Sequence, residues 1–280
     1  MDLNYYLEYW DCFINYWLRS NKGAFDNDIW SKEHNGKGKF KLEYNYLPQP
    51  YLGDPKNCSI ITLNLNPGPV SPIRKHPDGF LVRKLKEQNS YFEYAKSFPQ
   101  TKIPEYPNRF WDKQFAWIQR LLHQESVEKL PFAIEVCQWH SNNWKATDAS
   151  EEVLSYLNYY VFQIIEKVIP FADVKTVLSV GKTYYDIFNE PKMGFEKVME
   201  LSPENHNLPK HISWPKNKKG KPINRFFSLW MYKKTKTLYL NTYSYGSNSP
   251  PSKEWNQIQS LLLNSQQSTD NRHQTTDSRQ

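Results

Sequence analysis

The sequence predicts an α/β fold, a three-layer α/β/α arrangement with a central, mostly parallel four-stranded sheet. Four short runs of β-branched and apolar residues have the length and composition of buried strands, and segments with helical spacing of apolar residues lie between them. Strands that alternate with helices along the chain are typical of a parallel sheet covered on both faces. The predicted strands are residues 59–65, 131–137, 174–180 and 237–242.

Apolar residues that recur every three or four positions predict the helices. Segment 2–19 places Tyr6, Trp10 and Trp17 on one face, which is typical of an amphipathic helix that packs aromatic side chains inward. Ser150 and the two glutamates after it begin another helix, since serine caps a first turn and acidic residues favour the positive end of the helix dipole. The other predicted helices are residues 109–124, 183–188 and 252–263, and the helix from Ser150 extends to 168.

The 280 residues fit one large domain, although length alone also permits two small ones. We predict a single domain over residues 1–263, with a basic insertion near residues 205–225. Segment 226–232 fits either a strand or a short helix. Residues 264–280 are polar and of low complexity, which predicts a disordered tail.

Composition indicates the compartment and the kind of partner. Lys and Arg number 36 against 29 Asp and Glu, and the formal charge of +7 suits a polyanion such as DNA. Cys12, Cys58 and Cys137 are widely spaced and form no C-x-x-C pair, so neither a zinc site nor a disulfide framework is expected. The N-terminus has no leader pattern and the chain has no 18-residue apolar run. We expect a cytoplasmic monomer without cofactor, metal or membrane contact.

The first predicted strand runs into the sequence Leu-Asn-Leu-Asn-Pro-Gly-Pro, which ends at residue 69. This run resembles the first motif, G-[MI]-N-P-G, of the uracil-DNA glycosylase superfamily in its single-strand-selective and mismatch-type branch. The resemblance implies that Asn66 positions the water that attacks the sugar C1′, and that Pro67 and Gly68 bring the turn backbone close to a flipped nucleotide. An ordinary Asn-Pro turn at a strand end is the alternative.

Further positions extend the resemblance. Phe80, fourteen positions after Asn66, matches the aromatic residue that stacks on the extruded base, with Phe92 as the substitute. Glu135 occupies the place of the asparagine that reads the base. An ionised glutamate only accepts hydrogen bonds, so it favours a base with an exocyclic amine such as cytosine. A glutamate that faces a salt-bridge partner is the alternative.

After the second strand, Trp139 and His140 are expected to line the substrate pocket, with His140 as a candidate for electrostatic help. An ordinary surface histidine is the alternative. The family's last motif, His-Pro-Ser-Pro, lacks its histidine here. Tyr243 takes that position and has a phenol that donates one hydrogen bond to a developing anion. In the same loop, Ser247 is expected to contact the substrate and Tyr245 the DNA.

A basic stretch before segment 226–232 is expected to contact DNA, with a merely solvated loop as the alternative. Its residues are Lys216, Lys218, Lys219, Lys221 and Arg225. The altered base reader and the missing histidine indicate a modified cytosine, and the chain resembles bacterial phage-defence glycosylases that remove glucosylated hydroxymethylcytosine from phage DNA. The alternatives are repair of uracil or a damaged pyrimidine, and a catalytically silent DNA-binding module of the same fold. A nuclease is disfavoured, since no Asp, Glu and His cluster suited to Mg²⁺ follows the strands.

Overall fold

A computed structural model describes residues 1–20, 25, 29–30, 42–65, 78–103, 109–123, 128–141, 150–204, 208–244 and 250–262. Several predictions concern residues outside these ranges. They are the roles of Asn66, Pro67, Gly68, Tyr245 and Ser247, and the tail over residues 264–280.

The described chain contains one large and one small sheet. Its strands are β1 Leu42–Glu43, β2 Tyr51–Leu52, β3 Ile61–Asn64, β4 Phe132–Glu135, β5 His140–Ser141, β6 Thr176–Val180, β7 Phe195–Leu201, β8 Phe226–Tyr232 and β9 Leu238–Tyr243. The large sheet has the order β2-β4-β3-β6-β9-β8-β7, and β1 pairs separately with β5. Pairing is parallel from β4 through β3 and β6 to β9, and antiparallel at β2, β8 and β7. The prediction of an α/β fold is confirmed.

The sheet is larger and more mixed than the sequence predicted. Among the described residues it has seven strands, not four, and segment 226–232 is a strand. Strand β2 has only two residues, too few to show a pattern. Strand β7 is an edge strand with a mostly solvated middle, so its sequence resembles a polar loop. Both reasons explain why these edge strands were not predicted.

Helices flank the sheet on both sides. They are α1 Leu3–Arg19, α2 Asp78–Lys86, α3 Tyr91–Lys96, α4 Arg109–Leu122, α5 Glu151–Tyr156, α6 Gln163–Val168, α7 Lys182–Asn189 and α8 over residues 256–262. A π-helical segment, Leu157–Phe162, joins α5 to α6. The Ser150 hydroxyl accepts a hydrogen bond from the Val153 amide, as expected of the predicted cap. No helix in the described ranges is both long and apolar enough to cross a membrane.

Alternate residues of the central strands pack in two separate cores, since side chains along a strand point to opposite faces. Val177 and Tyr239 lie in a core with α1, α3, α6 and α7, and we call this side of the sheet the α7 face. Leu178 and Leu240 lie in a core with α4 and α8, and we call this side the α4 face. The sheet is therefore covered on both faces.

Candidate functional site

The carboxyl ends of β3 and β4 lie side by side at one edge of the sheet. Asn64 ends β3, Glu135 ends β4, and the two residues are directly opposite each other in the parallel register. The Val136 amide donates a 2.8 Å hydrogen bond to the Asn64 carbonyl, so the pairing continues past the strands. The chain enters its Asn-Pro-Gly sequence two residues after Asn64. This edge is where open α/β sheets commonly bind ligands.

The side chains of Asn64 and Glu135 point to the α4 face. Ile61 and Leu63 pack in the core of the α7 face, so the alternate residue Asn64 lies on the other side. The Glu135 side chain lies on the same face as that of Asn64, because residues paired across neighbouring strands share a face. Gln114 of helix α4, which covers this face of the sheet, contacts Asn64.

Three buried side chains form what we call the amide–carboxyl cluster. Gln114 Nε2 donates to Asn64 Oδ1 at 3.3 Å, and Asn64 Nδ2 donates to Glu135 Oε1 at 3.1 Å. Their exposed fractions are 1%, 5% and 5%, in the order Gln114, Asn64, Glu135. The second carboxyl oxygen, Glu135 Oε2, is buried and has no hydrogen-bond partner among the described residues. A buried polar atom of this kind is costly and marks a place where a ligand or water belongs.

The charge state of Glu135 follows from its surroundings. Burial raises the pKa of Glu135 from its ordinary 4.5 to about 8, and the hydrogen bond from Asn64 only partly opposes this shift. In the ranges described by the structure, Glu135 takes part in no ion pair. At pH 7 the side chain is therefore mostly a neutral acid. The direction of this pKa shift favours a neutral Glu135 over the ionised, acceptor-only side chain that the sequence predicts.

His140 belongs to a second buried polar chain near the same strand end. Its Nε2 lies 3.3 Å from Gln49 Nε2, which acts as the donor because an amide nitrogen cannot accept. Gln49 Oε1 accepts from Gln100 Nε2 at 3.1 Å, and Gln100 Nε2 also contacts the Tyr94 hydroxyl at 3.3 Å. This arrangement assigns the proton of a neutral His140 to Nδ1. His140 is 3% exposed, so it lies inside the protein and not on its surface.

Trp139 is a core residue. Its exposed fraction is 0%, and ring-centroid distances of 5.7, 5.1 and 4.8 Å separate it from Phe13, Phe25 and Tyr44. The structure therefore places this indole in the aromatic packing beneath α1. It does not bring it to a pocket wall.

The two aromatic candidates for base stacking are both half-buried. Phe80 lies on α2 with Lys84 Nζ 5.9 Å from its ring centroid, and Phe92 lies on α3 with Lys96 Nζ 5.3 Å away. Neither ring is fully packed in the core, so both remain available for contact.

Tyr243 lies on the α7 face, across the sheet from Glu135. It shares a face with Tyr239, four positions earlier on β9. Its ring stacks on Phe226 of β8 at 4.8 Å and 9°, and it contacts Tyr185 of α7 edge-on at 5.4 Å. The structure therefore does not bring the Tyr243 phenol together with the amide–carboxyl cluster.

Arg225 is buried, unlike the lysines predicted to act with it. Its exposed fraction is 8%, Nη1 donates to Thr242 Oγ1 at 3.2 Å, and its guanidinium lies 5.9 Å from the Trp255 ring centroid. Burial lowers the pKa of Arg225 to about 10, so it stays charged at neutral pH. Thr242 alternates with Tyr243 and thus faces α4, on the same side as Glu135. The prediction that Arg225 binds DNA at the surface is not supported by this position.

The predicted basic insertion forms a tight turn that we call the basic hairpin, residues 216–222. Lys216 pairs with Pro222, the Asn217 amide donates to the Lys221 carbonyl, and Gly220 has a φ of 75° that favours glycine. Four exposed lysines project from it, namely Lys216, Lys218, Lys219 and Lys221. In the described parts of the chain none of them forms an ion pair.

The basic hairpin is fixed at the same edge of the sheet as Glu135. Trp214, just before it, is buried, donates from Nε1 to the Ile223 carbonyl at 2.9 Å and packs on Trp255 at 5.2 Å. Strand β8 begins at Phe226, which pairs with Tyr243 at the carboxyl end of β9. Since β4, β3, β6 and β9 run in parallel, the hairpin and Glu135 both lie at the carboxyl ends of these strands.

Two members of the cluster, Asn64 and Gln114, were not predicted as functional residues. Asn64 had a detectable signal, because a polar side chain inside a buried four-residue strand needs a partner. Gln114 also interrupts the apolar face of α4. Their contact with each other links residues 50 positions apart, which a local pattern does not show.

Comparison of the chain with protein-family models, with curated proteins and with solved structures finds no match. Within the described residues, no group of three or more His, Cys, Asp or Glu side chains could hold a metal ion. The resemblance to the uracil-DNA glycosylases therefore rests on the sequence motifs, and function is inferred from the site.

Proposed function

We propose that the protein is a DNA glycosylase that hydrolyses the N-glycosidic bond of a base extruded from DNA. One observation carries the proposal. The carboxyl of Glu135 is hydrogen-bonded by Asn64, has one oxygen unpartnered among the described residues, and lies where two adjacent parallel strands end. Asn64, at the end of the neighbouring strand, comes two residues before the Asn-Pro-Gly sequence. A flipped base is read by hydrogen bonds to its polar edge, and such a carboxyl supplies them.

The architecture gives further support. The four consecutive parallel strands, β4, β3, β6 and β9, have helices on both faces, as expected for the uracil-DNA glycosylase type of domain. We assign these four strands to the glycosylase sheet and regard β2, β7 and β8 as additions. Strand β8 has the further effect of joining the basic hairpin to the sheet.

In the proposed reaction water adds to C1′, the bond from C1′ to the base nitrogen breaks, and the base leaves with the electron pair of that bond. The proton that the water loses is finally taken up by the departed base, so the products are an abasic sugar and a neutral base. Asn66 positions the water, Phe80 or Phe92 stacks on the base, and Glu135 reads its edge. The departing base carries negative charge that the site must stabilise. Arg225 and His140 are the candidates for this role, because Tyr243 lies on the opposite face of the sheet.

The proposed partner is DNA, including modified phage DNA, bound by the basic hairpin. Extrusion of a base costs a few kcal/mol, which phosphate contacts offset. Four exposed lysines on a hairpin anchored by Trp214 suit this task. The proposed substrate base is a modified cytosine such as glucosylated hydroxymethylcytosine.

A second candidate, excision of uracil, is favoured by the neutral state of Glu135. A protonated carboxyl both donates and accepts, as the asparagine of the uracil-reading family members does. A catalytically silent DNA-binding module is the third candidate, and the position of Tyr243 favours it, because this phenol then does not replace the missing histidine.

The test is excision from matched oligonucleotides that carry uracil, cytosine, hydroxymethylcytosine or glucosylated hydroxymethylcytosine, followed by alkali to reveal abasic sites. We expect strand cleavage at a modified cytosine and its loss in Asn66→Ala. Asn57→Ala, at an exposed asparagine, is the matched control and should cleave normally. Cleavage at uracil alone would favour the repair enzyme. DNA binding without any cleavage would favour the silent module.

A further inference from the structure

The amide–carboxyl cluster has a defined hydrogen-bond direction. Gln114 Nε2 donates to Asn64 Oδ1, which leaves Asn64 Nδ2 directed at Glu135. The strand register places Asn64 opposite Glu135, so the pair is fixed by the backbone as well. One carboxyl oxygen, Oε1, thus accepts from a donor that cannot turn away without breaking its own hydrogen bond to α4.

The other carboxyl oxygen has no such contact. Oε2 of Glu135 is buried without a hydrogen-bond partner among the described residues, and so is Oε1 of Gln114. Because Oε1 of Glu135 accepts a hydrogen bond from Asn64 Nδ2, the acid proton of Glu135 is favoured on Oε2. The carboxyl then offers a donor at Oε2 and a second acceptor position at Oε1, side by side.

We propose that Asn64 and Gln114 are positioning residues that orient the buried, neutral acid Glu135, so that its Oε2 hydroxyl donates to the base while Oε1 accepts from it. This inference rests on the proposed glycosylase function and specifies its ligand. The fitting edge is an acceptor beside a donor, as at positions 3 and 4 of a pyrimidine. Cytosine offers N3 and its exocyclic amine there, and uracil offers O4 and N3–H.

The electrostatic surroundings agree with a neutral acid. Asn64 from β3 and Gln114 from α4 are uncharged, and among the described residues Tyr184 of α7 is the titratable side chain with which Glu135 interacts. Burial raises the pKa of Tyr184 well above its ordinary value, and the charge of Glu135 adds to this shift, so the phenol is neutral too. An ionised Glu135 would offer two acceptors and would repel the acceptor atom of either base.

The first experiment titrates Glu135 in the full-length protein without DNA, by infrared or ¹³C NMR spectroscopy of labelled glutamate, with Glu135→Gln to assign the signal. We expect a midpoint near pH 8. In Asn64→Leu the midpoint should rise by about one further pH unit, because the lost donor favours the charged form. A wild-type midpoint below about pH 6 would overturn the inference.

The second experiment measures excision of the cleaved base from pH 6 to 9. The wild-type rate should fall at least about tenfold as Glu135 ionises, since each pH unit past the midpoint removes about nine tenths of the acid form. Glu135→Gln, which keeps one donor and one acceptor, should be active with a flat profile. Asn64→Leu should move the decline to higher pH, and Gln114→Leu, which frees the Asn64 amide, should move it in the same direction by less.

The outcomes separate the two proposals. A Glu135→Gln protein that unfolds cooperatively but is inactive, beside an active Glu135→Asp, would show that a carboxylate is required and would overturn the neutral-acid inference. The neutral-acid inference would also be overturned if the excision rates of wild type and Glu135→Gln had the same pH profile. If no oligonucleotide is cut by any variant, the glycosylase function fails, and the titration of the free protein alone then decides whether Asn64 and Gln114 set the state of Glu135.

Discussion

The amide–carboxyl cluster buries its ionisable side chain, whereas the basic hairpin exposes its ionisable side chains to solvent. Glu135 is buried, and removal from water suppresses its charge at neutral pH. The four hairpin lysines are exposed, so their charges are fully hydrated and also screened by salt. The two regions should therefore respond to different variables, the cluster to pH and the hairpin to ionic strength.

The largest expected effect concerns the pH dependence of stability. The folded protein keeps the Glu135 proton up to about pH 8, whereas the unfolded chain loses it near 4.5, so the free energy of unfolding decreases as pH rises through this window. Glu135→Gln removes that decrease. The free energy of unfolding of Glu135→Gln, relative to that of wild type, should therefore increase by about 4 kcal/mol from pH 4.5 to pH 8.5.

Urea denaturation at both pH values measures this change. Glu196→Gln, at an exposed glutamate of β7, is the control and should leave the pH dependence unaltered. An equal stability difference at both pH values would contradict a neutral Glu135, and the contrast with the hairpin would disappear.

The next effect concerns DNA binding. We expect replacement of all four hairpin lysines by Gln to weaken DNA binding about 100-fold at low salt, and to reduce the slope of log K against log salt by about 3 to 4. Fluorescence anisotropy with a labelled duplex over a salt series measures both. Lys233→Gln with Lys236→Gln is the control, because this exposed turn joins β8 to β9 at the opposite edge of the sheet. Equal losses in both variants would indicate that binding follows net charge and not the hairpin.

The smallest expected effect tests the separation of the two sheet faces. Tyr243→Phe keeps the ring that packs on Phe226 and Tyr185, so we expect less than about a twofold change in excision rate. Single-turnover kinetics on the preferred oligonucleotide measures it. A loss of 100-fold or more would instead show that the Tyr243 hydroxyl reaches the reacting base.

Several elements could be predicted from the sequence because their apolar spacing is strong. The four central strands and helix α1 are of this kind. Strands β2 and β7 could not be predicted, since one is very short and the other is a solvated edge. For Glu135 the sequence indicated a position but not a charge state, because protonation depends on burial beneath α4 and on a contact from another strand.

The aromatic residues show the same limit. Trp139 and Tyr243 follow strands in the order that the family resemblance requires, yet one fills the core beneath α1 and the other lies across the sheet. Order along the chain fixes which strand end a residue follows. It does not fix the face to which a side chain points, which depends for Tyr243 on its position within β9 and for Trp139 on the path of the chain after β4.

Because Glu135 is a buried acid, folding also takes up a proton from the buffer, and calorimetry detects this uptake. Near pH 6.5 the folded protein binds about one proton more at Glu135 than the unfolded chain does. Unfolding there releases this proton to the buffer. The calorimetric enthalpy of unfolding should therefore differ between phosphate and Tris-type buffers by the difference between their heats of protonation, multiplied by about one proton. Glu135 thus makes the protein a stoichiometric proton acceptor each time it folds.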